Sequence, residues 1–212
     1  MNERISKILF VLDSEFPYSE QCFLRFSESW QLAVAAILSA QCTDERVNKI
    51  TKVLFREFPS ANALACAPAE KVENIIKSAG LYKAKTRYIT QTARALDELG
   101  EVPSDIKSLL KLPGVGRKVA NVLRSHLYNI PCVVVDTHVA RISRRLELSA
   151  ETDPSKIERD LTKILPLERQ IAFNYQAIMF GRSYCRARSP LFQECPMRES
   201  NLCPSAKETH CC

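Results

Sequence analysis

Glycine is scarce in this chain, at 5 of 212 residues, about a third of its usual share of ~7%. Sandwiches and barrels of short strands draw heavily on turn glycines, so the scarcity argues against an all-β fold. Long apolar runs are missing too. The longest stretch without a charged side chain, Ser29 to Thr43, has 15 residues, short of the roughly 18 to 20 that span a bilayer. The N-terminal apolar run, Ile8 to Leu12, is too short for an export signal and no small-residue cleavage site follows it. No internal repeat and no low-complexity linker divides the chain. A cytoplasmic protein is expected, in which the nine cysteines serve as thiols, ligands or buried hydrophobes rather than disulfides.

What is abundant is Leu, Ala, Lys, Arg and Glu, a helix-forming composition, and the expected fold class is all-α. The net charge of +6 is concentrated. Between Leu81 and Arg124 lie nine basic and four acidic residues, so that segment carries +5 of the total. A local basic surface of this kind suits a polyanion, most simply nucleic acid.

The apolar pattern predicts a buried central helix over Trp30 to Ala40 and a second helix capped by Thr43 or Asp44, with Val47 and Ile50 inward. A third begins near Pro68 and closes at Gly80, and a fourth carries Ile89, Ala93 and Leu96 to Gly100. Ser104 and Asp105 then start a short helix with Ile106, Leu109 and Leu110 inward. It runs into Leu112-Pro113-Gly114-Val115-Gly116, after which another helix begins at Arg117-Lys118. This is not a nucleotide phosphate loop, which needs Gly, four residues and Gly-Lys-Ser/Thr after a strand. A glycine hairpin between two helices instead offers bare backbone N–H groups and a helix N-terminus, both suited to a phosphate oxygen. Such a contact positions a nucleic acid without reading its sequence.

Lys118 stands at this crowded, positively charged helix start, where an amine is a candidate nucleophile as well as an ordinary solvated side chain. Further on, the apolar run Cys132-Val133-Val134-Val135 ends in Asp136-Thr137-His138. Asp136 suits the cap of a helix carrying Val139, Ile142 and Leu146, and it is equally a candidate partner carboxylate for the lysine.

At these residues the sequence resembles the endonuclease III family of helix-hairpin-helix DNA glycosylases. The matching blocks are Leu38 to Asp44, Ala79 to Lys85, Leu112 to Val122, Val134 to His138 and Gly181 to Cys185, in family order along nearly the whole chain. The resemblance implies two helical lobes, one over residues 23–132 with the hairpin near 104–127, the other combining 1–22 with 133–212. It implies a base excision repair enzyme, monomeric and nucleoid-associated, acting on double-stranded DNA that contains damaged bases or abasic sites. Oxidised pyrimidines would be removed by attack of Lys118 on the sugar, with Asp136 supporting positive charge, and the strand then cleaved 3′ to the abasic site by β-elimination. Gln41 and Leu81 match the side chains that fill the vacated base stack, while Gly114, Val115 and Gly116 match a backbone phosphate contact. Two alternatives remain open: a monofunctional mismatch glycosylase for adenine, uracil or thymine, and a hairpin module that binds DNA without catalysis.

The resemblance also implies a C-terminal [4Fe–4S] loop over 185–212 with the spacing Cys-x6-Cys-x2-Cys-x5-Cys, from which this chain departs. Cys185 and Cys195 match, Phe192 stands at the second ligand, and Cys203 is displaced by two residues from the fourth. Cys211 or Cys212 could complete a set of four with Cys185, Cys195 and Cys203, for a cluster or for zinc. A chain with no metal fits the same sequence. Cys22, Cys42, Cys66 and Cys132 are expected to be buried thiols.

Overall fold

Polar side chains set the starts of half of the helices. Asn2, Thr43, Ser60, Asp105, Asp136 and Asp153 each accept a hydrogen bond from a backbone N–H in the first turn that follows, which satisfies donors that a helix start leaves without a helical partner. The computed structural model describes residues 2–18 and 22–206. Among these there are twelve α-helices, three short 3-10 turns and no strand. In chain order the helices are α1 (Glu3–Glu15), α2 (Ser29–Leu38), α3 (Asp44–Glu57), α4 (Ala61–Ala65), α5 (Ala69–Ile76) and α6 (Tyr82–Leu99). They continue as α7 (Ile106–Leu109), α8 (Arg117–Tyr128), α9 (Thr137–Arg145), α10 (Pro154–Ile164), α11 (Leu167–Ser183) and α12 (Pro196–Glu199).

The chain divides into two compact units. One comprises Gln21–Tyr128 and the other Met1–Glu20 with Asn129–Cys212. In the first, α2 is apolar all round and buried along its whole length from Trp30 to Leu38, as a helix without a polar face must be. It packs against α6 and α8, and α4 packs against α6. Val47, Ile50, Leu54, Val72, Ile76, Ile89, Ala93 and Leu96 complete this core. Leu110 departs from the sequence expectation: it is 44% exposed, and Leu109 and Leu112 are the buried pair. With α7 only four residues long, Leu110 falls at its C-cap, and the inward face has already turned away.

The second unit is built on α11, whose Phe173 and Phe180 are fully buried with Ile8 and Leu12 of α1 and Val139 and Ile142 of α9. Arg169 of α11 makes a two-pronged ion pair with Asp13 of α1 at 2.8 and 2.6 Å, and Gln176 joins the same carboxylate at 2.8 Å. The apolar segment 132–135 is buried and belongs to no helix or strand. Asn174 supplies the missing partners: its amide donates to the Cys132 carbonyl at 3.0 Å and its carbonyl accepts from Val134 N–H at 2.8 Å. Buried backbone groups need such partners. Gly181 lies where α11 meets α9, since a Cβ there would come within 2.5 Å of His138 Nδ1 and 2.9 Å of Arg141 Nη2.

Candidate active site

The hairpin is held from behind by α6 and α2. Asp105 caps α7 by accepting from Ser108 N–H at 2.9 Å, and the turn closes with Val115 N–H donating to Leu112 O at 3.1 Å. Thr92 of α6 donates its hydroxyl to Pro113 O at 2.6 Å. Gly114 has φ +76° and rests directly on Tyr88 and Ile37, so the position requires both the left-handed conformation and the missing side chain. Gly116 O accepts from Ala120 N–H at 2.9 Å and so opens α8. Val115 is buried at 5% exposure, whereas Gly114, Gly116, Arg117 and Lys118 are exposed. A rigid turn therefore presents backbone to solvent at a helix N-terminus, the arrangement that binds phosphate. Lys118, the second residue of α8, projects its amine from the same exposed start.

Asp136 belongs to the other unit. It is half-buried and caps α9, its Oδ1 accepting from His138 and Val139 N–H at 2.9 and 2.8 Å. A carboxylate accepts more bonds than these two, so capping leaves Oδ2 for further chemistry. Behind it, Arg141 holds His138 Nδ1 at 3.1 Å and the carbonyls of Gly181 and Cys185 at 3.2 and 2.9 Å, which fixes the histidine as a structural group.

Gln41 and Leu81 share an unusual backbone. Both have positive φ, 55° and 50°, although neither is glycine. Each such residue carries about 1 to 2 kcal/mol of strain, and strain of this kind gathers at functional sites. Leu81 is 62% exposed, which removes it from the core, and Gln41 is exposed as well. The residue that joins their two loops is Lys85, buried at 3% exposure. It lies inside a block that the sequence singled out, but nothing local marks it as different from Lys83.

Cys185, Cys195 and Cys203 pack into or against the core of their unit, and burial pushes the thiols of Cys195 and Cys203 up from their ordinary range. Arg145 donates to Cys185 Sγ at 3.2 Å, and the Cys203 thiol donates to Arg145 O at 3.9 Å. Phe192, at the expected second ligand, packs its ring against the same core. Among the described residues no three cysteine, histidine or acidic side chains converge as a metal site; Cys211 and Cys212 lie outside the described residues. Cys132 is buried and Cys22 and Cys42 are half-buried, but Cys66 is exposed at the end of α4, contrary to expectation. Among the described residues no helix is long and apolar enough to cross a membrane.

A glycine hairpin set between two helices, in an all-helical fold, defines the helix-hairpin-helix class. Residues 34–167 match the family of HhH-GPD superfamily base excision DNA repair proteins. Endonuclease III of Synechocystis sp. is 46% identical over 208 residues, covering 97% of this chain and 94% of that protein. Endonuclease III of Bacillus subtilis is 41% identical over 91% of this chain and 90% of its own length. A solved structure of a trapped endonuclease III–DNA covalent intermediate, an estranged-adenine complex, matches with a TM-score of 0.90 at 38% identity, covering 98% of this chain and 99% of that one. The chain belongs to the endonuclease III family of HhH-GPD base excision DNA repair proteins.

Proposed function

We infer that this chain excises oxidised pyrimidines from double-stranded DNA and then cuts the strand 3′ to the abasic site. The reading is carried by one observation above the rest: the exposed amine of Lys118 stands at the start of α8, directly after the backbone turn of Gly114, Val115 and Gly116. A phosphate held by that turn fixes the DNA strand against the amine, and fixed geometry is a large part of a catalytic barrier. The target nucleotide leaves the stack, at a cost that is lowest for a poorly stacked base, and Gln41 and Leu81 fill the space.

Lys118 Nζ, as the free amine, forms a bond to the sugar C1′ while the C1′–N bond to the base breaks and the base takes its electron pair. The Asp136 carboxylate stabilises positive charge on the sugar during this step. Opening of the C1′–O4′ bond gives an iminium. The iminium acidifies the C2′ proton, whose loss expels the 3′ phosphate through cleavage of the C3′–O bond. Water then hydrolyses the iminium and restores the amine. Water as the first nucleophile would give a hemiacetal, which does not acidify C2′ in this way. The covalent DNA intermediate trapped in the solved relative is a species of the kind this route forms.

The test is a duplex carrying one oxidised pyrimidine, incubated with the purified chain. A strand break 3′ to the lesion without added base or heat is the expected outcome. Base release that leaves the strand intact would identify a monofunctional glycosylase, and binding with neither event would identify a DNA-binding module.

The cysteine loop does not fit a [4Fe–4S] cluster from its described residues. Three sulfurs stand where four are needed, and Phe192 occupies one ligand position. No step above passes through a cluster. Iron analysis of the purified chain is expected to give less than one iron per molecule. A full complement of four, lost on Cys211→Ser or Cys212→Ser, would show instead that the C-terminal tail completes the set with Cys185, Cys195 and Cys203.

A further inference from the structure

A lysine is almost never fully buried without a partner that compensates its charge. Lys85 is buried, and its compensation comes from the backbone. Its Nζ donates to Leu38 O at 2.9 Å, Ala40 O at 2.7 Å and Ala79 O at 2.9 Å. An ammonium has three hydrogens, so every donor is used. Desolvation pulls the group's pKa below that of a solvated lysine, while the nearby Cys42 thiol opposes that shift. With all three donors committed inside the fold, Lys85 has none left for a phosphate and no access to a sugar.

The three carbonyls have a common location. Leu38 is the last residue of α2 and Ala40 immediately precedes Gln41. Ala79 ends the 3-10 turn that leads through Gly80 to Leu81. The backbone N–H of Lys85 in turn donates to Leu81 O at 3.0 Å. One residue therefore grips the chain on the approach to Gln41 and on both sides of Leu81. Both positions are exposed and have positive φ, and they lie 40 residues apart in sequence. The charge also suits the place, because an ammonium at the C-terminal end of α2 meets the partial negative charge of its last carbonyls. Without the clamp, two strained tips would each relax independently.

We propose that Lys85 is a positioning residue that locks the Gln41 and Leu81 tips together as one preformed wedge for the base stack. This rests on the reading of Gln41 and Leu81 as the side chains that fill the stack. A wedge ordered in advance spares the complex the entropy of ordering two loops when the duplex opens. Lys85 then acts on the step that opens the duplex and has no part in bond-making at the sugar.

Two substrates separate these steps: a duplex with one oxidised pyrimidine, and a single-stranded oligonucleotide with one abasic site, in which no stack has to be refilled. Lys85→Met keeps the length of the side chain and removes the ammonium, and thermal melting checks that it folds. A misplacement of about 1 Å can cost about 10²-fold in rate, so excision from the duplex is expected to fall by at least about tenfold while borohydride trapping on the single strand falls by no more than about twofold. Added to Gln41→Ala/Leu81→Ala, Lys85→Met is expected to cause little further loss, because the clamp then has nothing to position. Lys85→Arg keeps the charge and several donors and is expected to recover part of the duplex activity; it also serves as the test should Lys85→Met fail to fold. Equal losses on both substrates, or a full additive loss on top of Gln41→Ala/Leu81→Ala, would overturn the proposal. Full excision by Gln41→Ala/Leu81→Ala alone would instead show that the wedge reading itself is wrong.

Discussion

Replacing Lys118 by alanine abolishes the covalent adduct that borohydride traps between this chain and a duplex carrying one abasic site. Strand cleavage falls by a factor on the order of 10⁴ to 10⁶, the scale on which enzymes lose rate when a nucleophile is deleted. The substitution isolates chemistry from folding. Lys118 is exposed at the second position of α8, and alanine is the best helix former available, so melting should hardly change. Asp136→Asn is the informative companion. Asparagine accepts hydrogen bonds at a helix start as well as aspartate does, so the bonds from His138 and Val139 N–H at 2.9 and 2.8 Å remain possible. Only the negative charge is lost. A drop of about 10² to 10³ in the rate of base release is expected, typical of removing one electrostatic contact to a transition state. Asp136→Ala removes the cap as well and should also lower stability, by about 0.5 to 2 kcal/mol. An adduct that persists undiminished in Lys118→Ala would return Lys118 to the role of a solvated lysine at a helix start. Asp136→Asn with full activity would leave Asp136 as a cap and nothing more.

How much of this the sequence discloses depends on the range of the contacts involved. The hairpin, the start of α8 and the cap at Asp136 are local: a turn needs its glycine, and a cap needs a short polar side chain within three residues of the donors. Such features are readable from a dozen neighbouring letters. Lys85 is different. Its carbonyl partners lie 6, 45 and 47 residues away, so its burial exists only once α2 and α6 are packed, and its letter looks like any surface lysine. Asn174 is hidden for the same reason, since the two backbone groups it satisfies are 40 and 42 residues distant. Leu110 fails in the opposite sense. Its apolar character suggests burial, but the end of so short a helix turns it outward. The exposure of Leu81 and the positive φ of Gln41 are likewise outcomes of packing that no periodicity encodes.

Gly114→Ala is the substitution expected to cost the fold most. At φ +76° an L-residue carries about 1 to 2 kcal/mol of strain. The added Cβ would also fall 2.7 Å from Tyr88 Cβ, 2.9 Å from Tyr88 Cγ and 3.3 Å from Ile37 Cγ2. The first of these is the root of a side chain on α6 and cannot swing aside as a flexible tip could. Relief requires α6 or the hairpin to move, against a contact already fastened by Thr92 to Pro113 O. Overpacking of this sort adds about 1 to 3 kcal/mol, and the two contributions together lower Tm by roughly 5 to 15 °C in a chain of this size. Gly116→Ala provides the control two residues away. Nothing lies within 4 Å of a Cβ there, and its φ is not in the left-handed region, so its effect on melting should stay within about 0.5 kcal/mol. The pair thus separates two uses of glycine in one turn. At Gly114 the absent side chain lets the hairpin sit against α6, and at Gly116 it leaves the backbone open to a phosphate. Equal melting temperatures for the two variants would mean that the turn is not braced by α6, and the rigid backbone on which the phosphate contact and the placement of Lys118 both depend would lose its physical basis.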